Sequence, residues 1–212
     1  SNEDLITKPT VSRRAFLLGG AAFLGGAVIL LDGCRSVPVN GNGDTTPSQS
    51  LGAIREIALE ARPAEIEIAP NKRVTVWTYD GKFPGTEIRA KEGERLRIAF
   101  KNNLPEDTSI HWHGIQQKGS NKMDGIPGLT QPPIPVGSEF VYDFIVNASG
   151  TYFFHPHSGL QIERGLYAPL IIEPKKETLS YDREYTLVLD DWLDGSPDLA
   201  FEQLKQGISP AN

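Results

Sequence analysis

Cysteine is almost absent from this sequence. Its 212 residues contain one, Cys34. An intrachain disulfide needs a second cysteine, and so does a metal site with two thiolates, so both are excluded for this chain. A metal bound here must therefore be held by imidazole or carboxylate groups.

The sequence also lacks a strong excess of charge of either sign. It has 21 Lys and Arg against 27 Asp and Glu, a net charge of -6, and the two signs are interspersed. Because there is no basic stripe, we expect no nucleic-acid partner. The contents of 39% hydrophobic and 23% charged residues are ordinary for a globular protein, while 21 Gly and 16 Pro favour short strands joined by turns.

Long apolar runs are limited to one, at residues 15–31. It starts within residues 12–17, SRRAFL, which resemble a twin-arginine export signal. Four glycines interrupt the run, and it is short for a permanent transmembrane helix, which needs about 20 mainly apolar residues. We therefore predict that residues 1–34 are an export signal, with a membrane anchor as the alternative. The protein is then expected in the periplasm or at the cell surface.

The end of this signal resembles a lipobox, residues 31–34, LDGC. Cys34 would then carry a lipid and the protein would be a membrane-anchored lipoprotein. Asp32 departs from the small or apolar residue usual in that motif, so a plain small residue near a cleavage site is the alternative for Cys34. Residues 35–53 are polar and rich in Asn, Gly, Pro, Ser and Thr, and we predict a flexible linker there.

From Ile54 onward the apolar residues alternate with polar ones. The pattern is clear in residues 65–68, 95–101 and 140–145, and it returns in Tyr185, Leu187 and Leu189. Strict alternation marks strands with one buried face, and turn-forming residues lie between the runs. Several short strands separated by turns predict an all-β sandwich of Greek-key type.

One helix is predicted near the C-terminus. Ser196 suits the N-cap, Pro197 the first helical position and Gly207 the C-terminal stop. Three apolar residues can share a face of this helix: Leu199, Phe201 and Leu204.

All four histidines fall into two His-x-His pairs, His111 with His113 and His155 with His157. On a strand, residues i and i+2 point to the same side, about 6.5–7 Å apart. Two such strands side by side can therefore present four imidazoles to one shared volume. Imidazole suits copper, zinc, iron and nickel, so the pairs predict a metal site without naming its metal.

Several motifs resemble those of multicopper oxidases, the family of laccases and ascorbate oxidase. Residues 111–114, HWHG, are similar to its first copper motif, and residues 150–157, GTYFFHPH, to its second. Further similar segments are residues 123–131, MDGIPGLTQ, residues 164–170, RGLYAPL, and residues 190–194, DDWLD. The resemblance extends from about residue 54 to residue 207. It implies that residues 54–176 are a cupredoxin domain and that residues 177–212 start the connection to a second domain.

The resemblance also implies roles for the individual residues. His111 would ligate a type 2 copper, and His113, His155 and His157 a type 3 copper pair. Asp124 matches the acidic residue that assists proton delivery to oxygen in the family, although a turn residue before glycine is the alternative. For Trp112 and Tyr152 we expect packing.

Half of the family's ligands are missing from this chain. The family uses eight histidines at its trinuclear site, with a type 1 copper on a cysteine thiolate that receives electrons from the donor substrate. The chain has four histidines and no cysteine after Cys34. We therefore expect C-terminal cupredoxin domains outside this chain to supply the rest, and the isolated chain to be inactive.

The leading hypothesis is thus the N-terminal part of an exported multicopper oxidase, which passes electrons from a donor to O2 and forms water. The donor is not specified, and phenols, cuprous, ferrous and manganous ions are all compatible. The alternative is a non-enzymatic periplasmic copper-binding protein that buffers or delivers copper. A copper nitrite reductase is disfavoured, because its cupredoxin domain would carry a type 1 cysteine.

Overall fold

The computed structural model describes residues 53–209. The predicted export signal and lipid site, and all of the predicted linker except Ala53, lie outside the described residues. No helix within the described range has the length and apolar character needed to cross a membrane.

Eight strands and one α-helix make up the described chain. In chain order they are β1 (Ile54–Ala69), β2 (Lys72–Tyr79), β3 (Ile88–Lys91), β4 (Arg95–Asn102), β5 (His111–His113), β6 (Glu139–Ile145), β7 (Gly150–His155), β8 (Ala168–Glu173) and α1 (Pro197–Lys205). Two short 3₁₀ turns, Asn121–Met123 and Ile162–Arg164, lie in the connections that follow β5 and β7.

The strands form two four-stranded sheets, with the orders β2-β1-β4-β6 and β3-β8-β7-β5. Strand β1 pairs in parallel with β4, and β3 in parallel with β8, so the chain passes repeatedly from one sheet to the other. This confirms the all-β sandwich.

The core lies between the two sheets, and the predicted alternation selects its members. Leu96, Ile98 and Phe100 of β4 and Tyr142 and Phe144 of β6 are buried. Their polar neighbours along each strand face outward, which is the arrangement expected for a strand with one wet face.

The prediction of a strand at residues 185–189 is wrong. This segment lies in a stretch with no regular secondary structure, and Tyr185, Leu187 and Leu189 are 75%, 82% and 94% exposed. The alternation is present in the sequence, but a strand also needs a neighbouring strand to accept and donate its backbone hydrogen bonds. No strand of residues 53–209 pairs with this segment.

The C-terminal helix is confirmed. The Leu199 backbone N–H donates to Ser196 Oγ at 3.4 Å, Pro197 occupies the first turn, and Gly207 follows with a φ of 74°. The predicted apolar face is not buried, because Leu199, Phe201 and Leu204 are all exposed, at 61%, 45% and 57%, and the buried helix residues are Pro197 and Ala200. Phe201 and Leu204 line a cavity of about 270 Å³ together with Ala200.

Candidate metal centre

The first histidine pair lies on β5, which pairs with β7 in an antiparallel register. His111 is opposite His155, Trp112 opposite Phe154, and His113 opposite Phe153. Trp112 and Phe154 are fully buried in the core. Since neighbouring side chains on a strand point to opposite sides, burial of these two aromatic rings sends both histidines of β5 to the outer face.

His157 lies just beyond the end of β7 and is held by its backbone. Its N–H donates to Ser109 Oγ at 3.2 Å. Its ring centroid is 5.3 Å from that of His111 and 5.9 Å from that of His155. The structure therefore brings the rings of both His-x-His pairs into one cluster.

Three of the four rings are close enough to share one ion. The potential ligand nitrogens of His111, His113 and His155 all lie within 4.8 Å of one another. His157 is outside this group of three, although its ring is next to that of His111. The cluster thus offers one compact set of three nitrogens and a fourth imidazole at its side.

Hydrogen bonds to carbonyl groups fix the tautomers of two rings. His111 Nδ1 is 2.7 Å from the carbonyl oxygen of Asp124, and His155 Nδ1 is 2.9 Å from that of Pro156. A carbonyl oxygen only accepts, so each Nδ1 must carry the proton and donate. The lone pair is then on Nε2 of both rings, which leaves that atom available to a metal.

The third ring points at one of these free nitrogens. His113 Nδ1 lies 3.1 Å from His155 Nε2. Because His155 carries its proton on Nδ1, the proton between the two facing nitrogens is that of His113 Nδ1. The other neutral tautomer of His113 carries this proton on Nε2, and two lone pairs then face the same space.

Burial keeps His155 neutral. It lowers the pKa of His155 to about 4, the hydrogen bond to Pro156 opposes this decrease, and the three neighbouring histidines add to it. A neutral imidazole is the form that binds metals. A set of three imidazoles with no acidic side chain among them fits copper as well as zinc.

Asp124 lies beside the cluster and contacts it mainly through its backbone. Its carbonyl oxygen accepts from His111, and its carboxylate Oδ1 is 3.7 Å from the same ring nitrogen. The next residue, Gly125, has a φ of 80°, and a Cβ there would be 1.7 Å from the carbonyl oxygen of Ile110. Asp124 is therefore at once a turn residue and a neighbour of the histidines.

Sequence reasoning missed the residues that hold the approach to β5. The Ile110 N–H donates to the Tyr142 hydroxyl at 2.7 Å, and the Thr108 hydroxyl donates to Gln161 Oε1 at 2.7 Å. Tyr142 carried only the signal of a strand core residue, and Gln161 carried none. Their partners are 32 and 53 residues away along the chain, so no local pattern could connect them.

Comparison with known proteins decides the family. A sequence model described as multicopper oxidase matches residues 60–177, more than half of the chain. The chain belongs to the multicopper oxidase family. Members of this family are copper-dependent oxidoreductases that use O2 as electron acceptor.

Individual multicopper oxidases agree with this assignment. A copper resistance protein A homolog from Pseudomonas syringae pv. tomato is 37% identical over 92% of this chain and 32% of its own length. The multicopper oxidase MmcO from Mycobacterium tuberculosis is 36% identical over 96% of this chain and 41% of its own. The crystal structure of the laccase from Botrytis aclada superposes with a TM-score of 0.63 at 35% identity, over 76% of this chain and 30% of that one.

These matches confirm the cupredoxin-type sandwich and the family that the sequence motifs predicted. The chain spans about a third of the length of the first curated relatives it matches.

Proposed function

We propose that His111, His113, His155 and His157 form the N-terminal half of a trinuclear copper site in a multicopper oxidase. The observation that carries this proposal is the set of three imidazoles whose ligand nitrogens lie within 4.8 Å of one another, on two motifs that resemble those of the family. In this assignment His111 serves the type 2 copper, and the other three serve the type 3 pair. The bound copper would supply the electron-transfer chemistry by which O2 is reduced to water.

The protein's own residues then prepare the ligands. The Asp124 carbonyl holds the proton of His111 on Nδ1, and the Pro156 carbonyl does the same for His155, so both rings present Nε2. The Asp124 carboxylate, 3.7 Å from His111 Nδ1, is close enough to act on protons at the edge of the cluster. We assign it the family's proton-delivery role.

The cluster is open on its outer side, since His113 and His157 are exposed. This openness supports the proposal that further ligands approach from outside the described residues, as C-terminal cupredoxin domains of the intact oxidase. A type 1 copper would belong to those domains as well, because residues 53–209 contain no cysteine. The isolated chain is therefore expected to bind copper without oxidising a donor.

The proposed function also includes export of the protein from the cytoplasm. The twin-arginine-like segment at residues 12–17 supports passage to the periplasm or the cell surface, with Cys34 as the point of a lipid anchor. The donor substrate remains any of the one-electron donors that the family accepts.

The experiment that tests the site is a competition titration of the chain with Cu(II) and a chelator. We expect His155→Ala to weaken binding at least about 10-fold, the range typical for damage to a metal site. Thr151→Ala, an exposed change on the same outer face of β7, is the matched control and should bind like the wild type. Equal binding by His155→Ala and the wild type would contradict the assignment.

An oxygen-consumption assay with a phenolic and a cuprous donor tests the second half of the proposal. The isolated chain should give no turnover. Two results together would favour a copper buffering or delivery protein instead. The chain would bind one copper ion tightly, and adding the C-terminal domains of a multicopper oxidase would give no oxygen consumption.

A further inference from the structure

Phe153 is an apolar ring on the outer face of a sheet, where a polar residue is expected. It lies on β7 two residues before His155 and directly opposite His113 on β5. It is 36% exposed, so the core does not account for its apolar character. The outer face of this sheet therefore carries one large aromatic side chain among the histidines.

The Phe153 ring packs against two histidines at once. Its centroid is 4.5 Å from that of His113 with an interplanar angle of 25°, and 4.9 Å from that of His155 with an angle of 21°. The centroids of the two histidines are 5.3 Å apart. The three rings thus form a compact triangle in which both imidazoles lie nearly parallel to the phenyl ring.

His113 has little else to orient it. Within residues 53–209, the hydrogen-bond partner of its ring is Nε2 of His155, an atom that itself would bind a metal. His111 and His155 each have a carbonyl group for this purpose, and His113 does not. The χ2 torsion of histidine has broad energy wells, so an exposed imidazole without such a partner samples many ring orientations.

We infer that Phe153 is a positioning residue for copper, which holds the ring planes of His113 and His155 so that Nδ1 of one and Nε2 of the other face the same ion. This inference rests on the proposed copper site. Stacking limits the rotation of both imidazoles before the metal binds, so less conformational entropy is lost on binding.

The test compares the Cu(II) affinity of five forms of the chain by chelator competition: the wild type, Phe153→Leu, Phe153→Trp, Phe201→Leu and His155→Ala. Phe153→Leu keeps an apolar side chain but removes the planar ring, and we expect about 10-fold weaker binding, as for other residues that orient metal ligands. Phe153→Trp keeps a planar ring and should restore the affinity to within about 3-fold of the wild type. Phe201→Leu is the matched control, because Phe201 is also exposed, at 45%, but lies on α1 outside the histidine cluster.

The rescue separates positioning from a general effect on the fold. If Phe153→Leu binds copper as tightly as the wild type and His155→Ala binds it more weakly, the inference about Phe153 is wrong and the proposed copper site stands. Wild-type binding by His155→Ala would overturn the proposed function itself. Failure of Phe153→Trp to restore affinity, with folding intact, would also count against positioning.

A measurement on the wild-type chain covers the case in which the leucine variant does not fold. Ring current from Phe153 should shift the carbon-bound ring protons of His113 and His155 upfield in the NMR spectrum, relative to those of His157. Equal shifts for all three histidines would show that the stack does not persist in solution, and the inference would be wrong.

Discussion

At the scale of single residues, the position of His111 depends on the turn at Asp124 and Gly125, which packs against it. Gly125 lies against the backbone carbonyl of Ile110, the residue just before His111, and the preceding Asp124 carbonyl accepts from the His111 ring. The turn can approach this closely because glycine has no Cβ and adopts a positive φ at little cost. The close approach and the hydrogen bond to the ring thus depend on one another.

We predict that Gly125→Ala both destabilises the protein and weakens copper binding. A non-glycine residue at this φ costs about 1–2 kcal/mol, and the clash with the Ile110 carbonyl adds about 1–3 kcal/mol. Urea unfolding measures the first effect and Cu(II) titration the second. Gly128→Ala is the control, since its φ is 77° but nothing lies within 4 Å of an added Cβ. Equal losses of stability in the two variants would contradict this prediction.

The hydroxyl of Tyr142 offers a second test at the residue scale. It accepts from the Ile110 N–H at a fully buried position, so Tyr142→Phe leaves that donor without a partner. The expected cost is about 1–3 kcal/mol in the free energy of unfolding. Tyr185→Phe, which removes an exposed hydroxyl, should change the stability by less than about 0.5 kcal/mol. Urea unfolding of both variants measures these costs. If Tyr142→Phe is as stable as the wild type, the Ile110 N–H has found another acceptor.

At the scale of elements, β5 is too short to define its own position. It has three residues and one neighbouring strand, β7. Its placement comes from the buried Trp112 in its centre and from the hydrogen bonds of the preceding residues to Tyr142 and Gln161. The candidate metal centre therefore lies on a strand that the rest of the fold holds in place.

The segment at residues 185–189 shows the opposite case, a strand pattern without a partner strand. Because Leu189 is 94% exposed, we expect Leu189→Asp to change the free energy of unfolding by less than about 0.5 kcal/mol. Leu96→Ala, in the core of β4, should cost about 2–5 kcal/mol. Chemical denaturation of both variants checks this pair, and a large loss for Leu189→Asp would mean that the leucine is buried in solution.

At the scale of the whole molecule, the proposed copper site would couple metal binding to folding. It joins β5 and the end of β7, which are separated by more than 40 residues in the chain but adjacent in the sheet. The unfolded chain lacks this arrangement, so copper held by rings from both strands would stabilise the folded state.

We therefore predict that copper raises the stability of the chain. At a free concentration of about 100 times the dissociation constant, the gain should be about 2.7 kcal/mol. Thermal unfolding with Cu(II), and again after removal of the metal with EDTA, measures it. The increase should disappear in His155→Ala, and an equal increase in that variant would locate the copper elsewhere.

Much of this protein follows from its sequence alone. The alternation in β4 and β6 identified their buried faces, and the two His-x-His pairs and their flanking motifs identified the family. These signals are local, since each depends on residues within one strand or one turn. They were sufficient for the sandwich and for the candidate ligands.

Only the tertiary structure decided how those ligands are arranged. The carbonyl partners of His111 and His155, the anchoring by Tyr142 and Gln161, and the stack of Phe153 on His113 depend on which strands are neighbours. The same dependence explains the error at Tyr185, Leu187 and Leu189, whose pattern matches that of a true strand. Alternation determines which side of a strand is apolar, whereas backbone pairing requires a second strand at hydrogen-bonding distance, and the segment's own sequence does not contain that information.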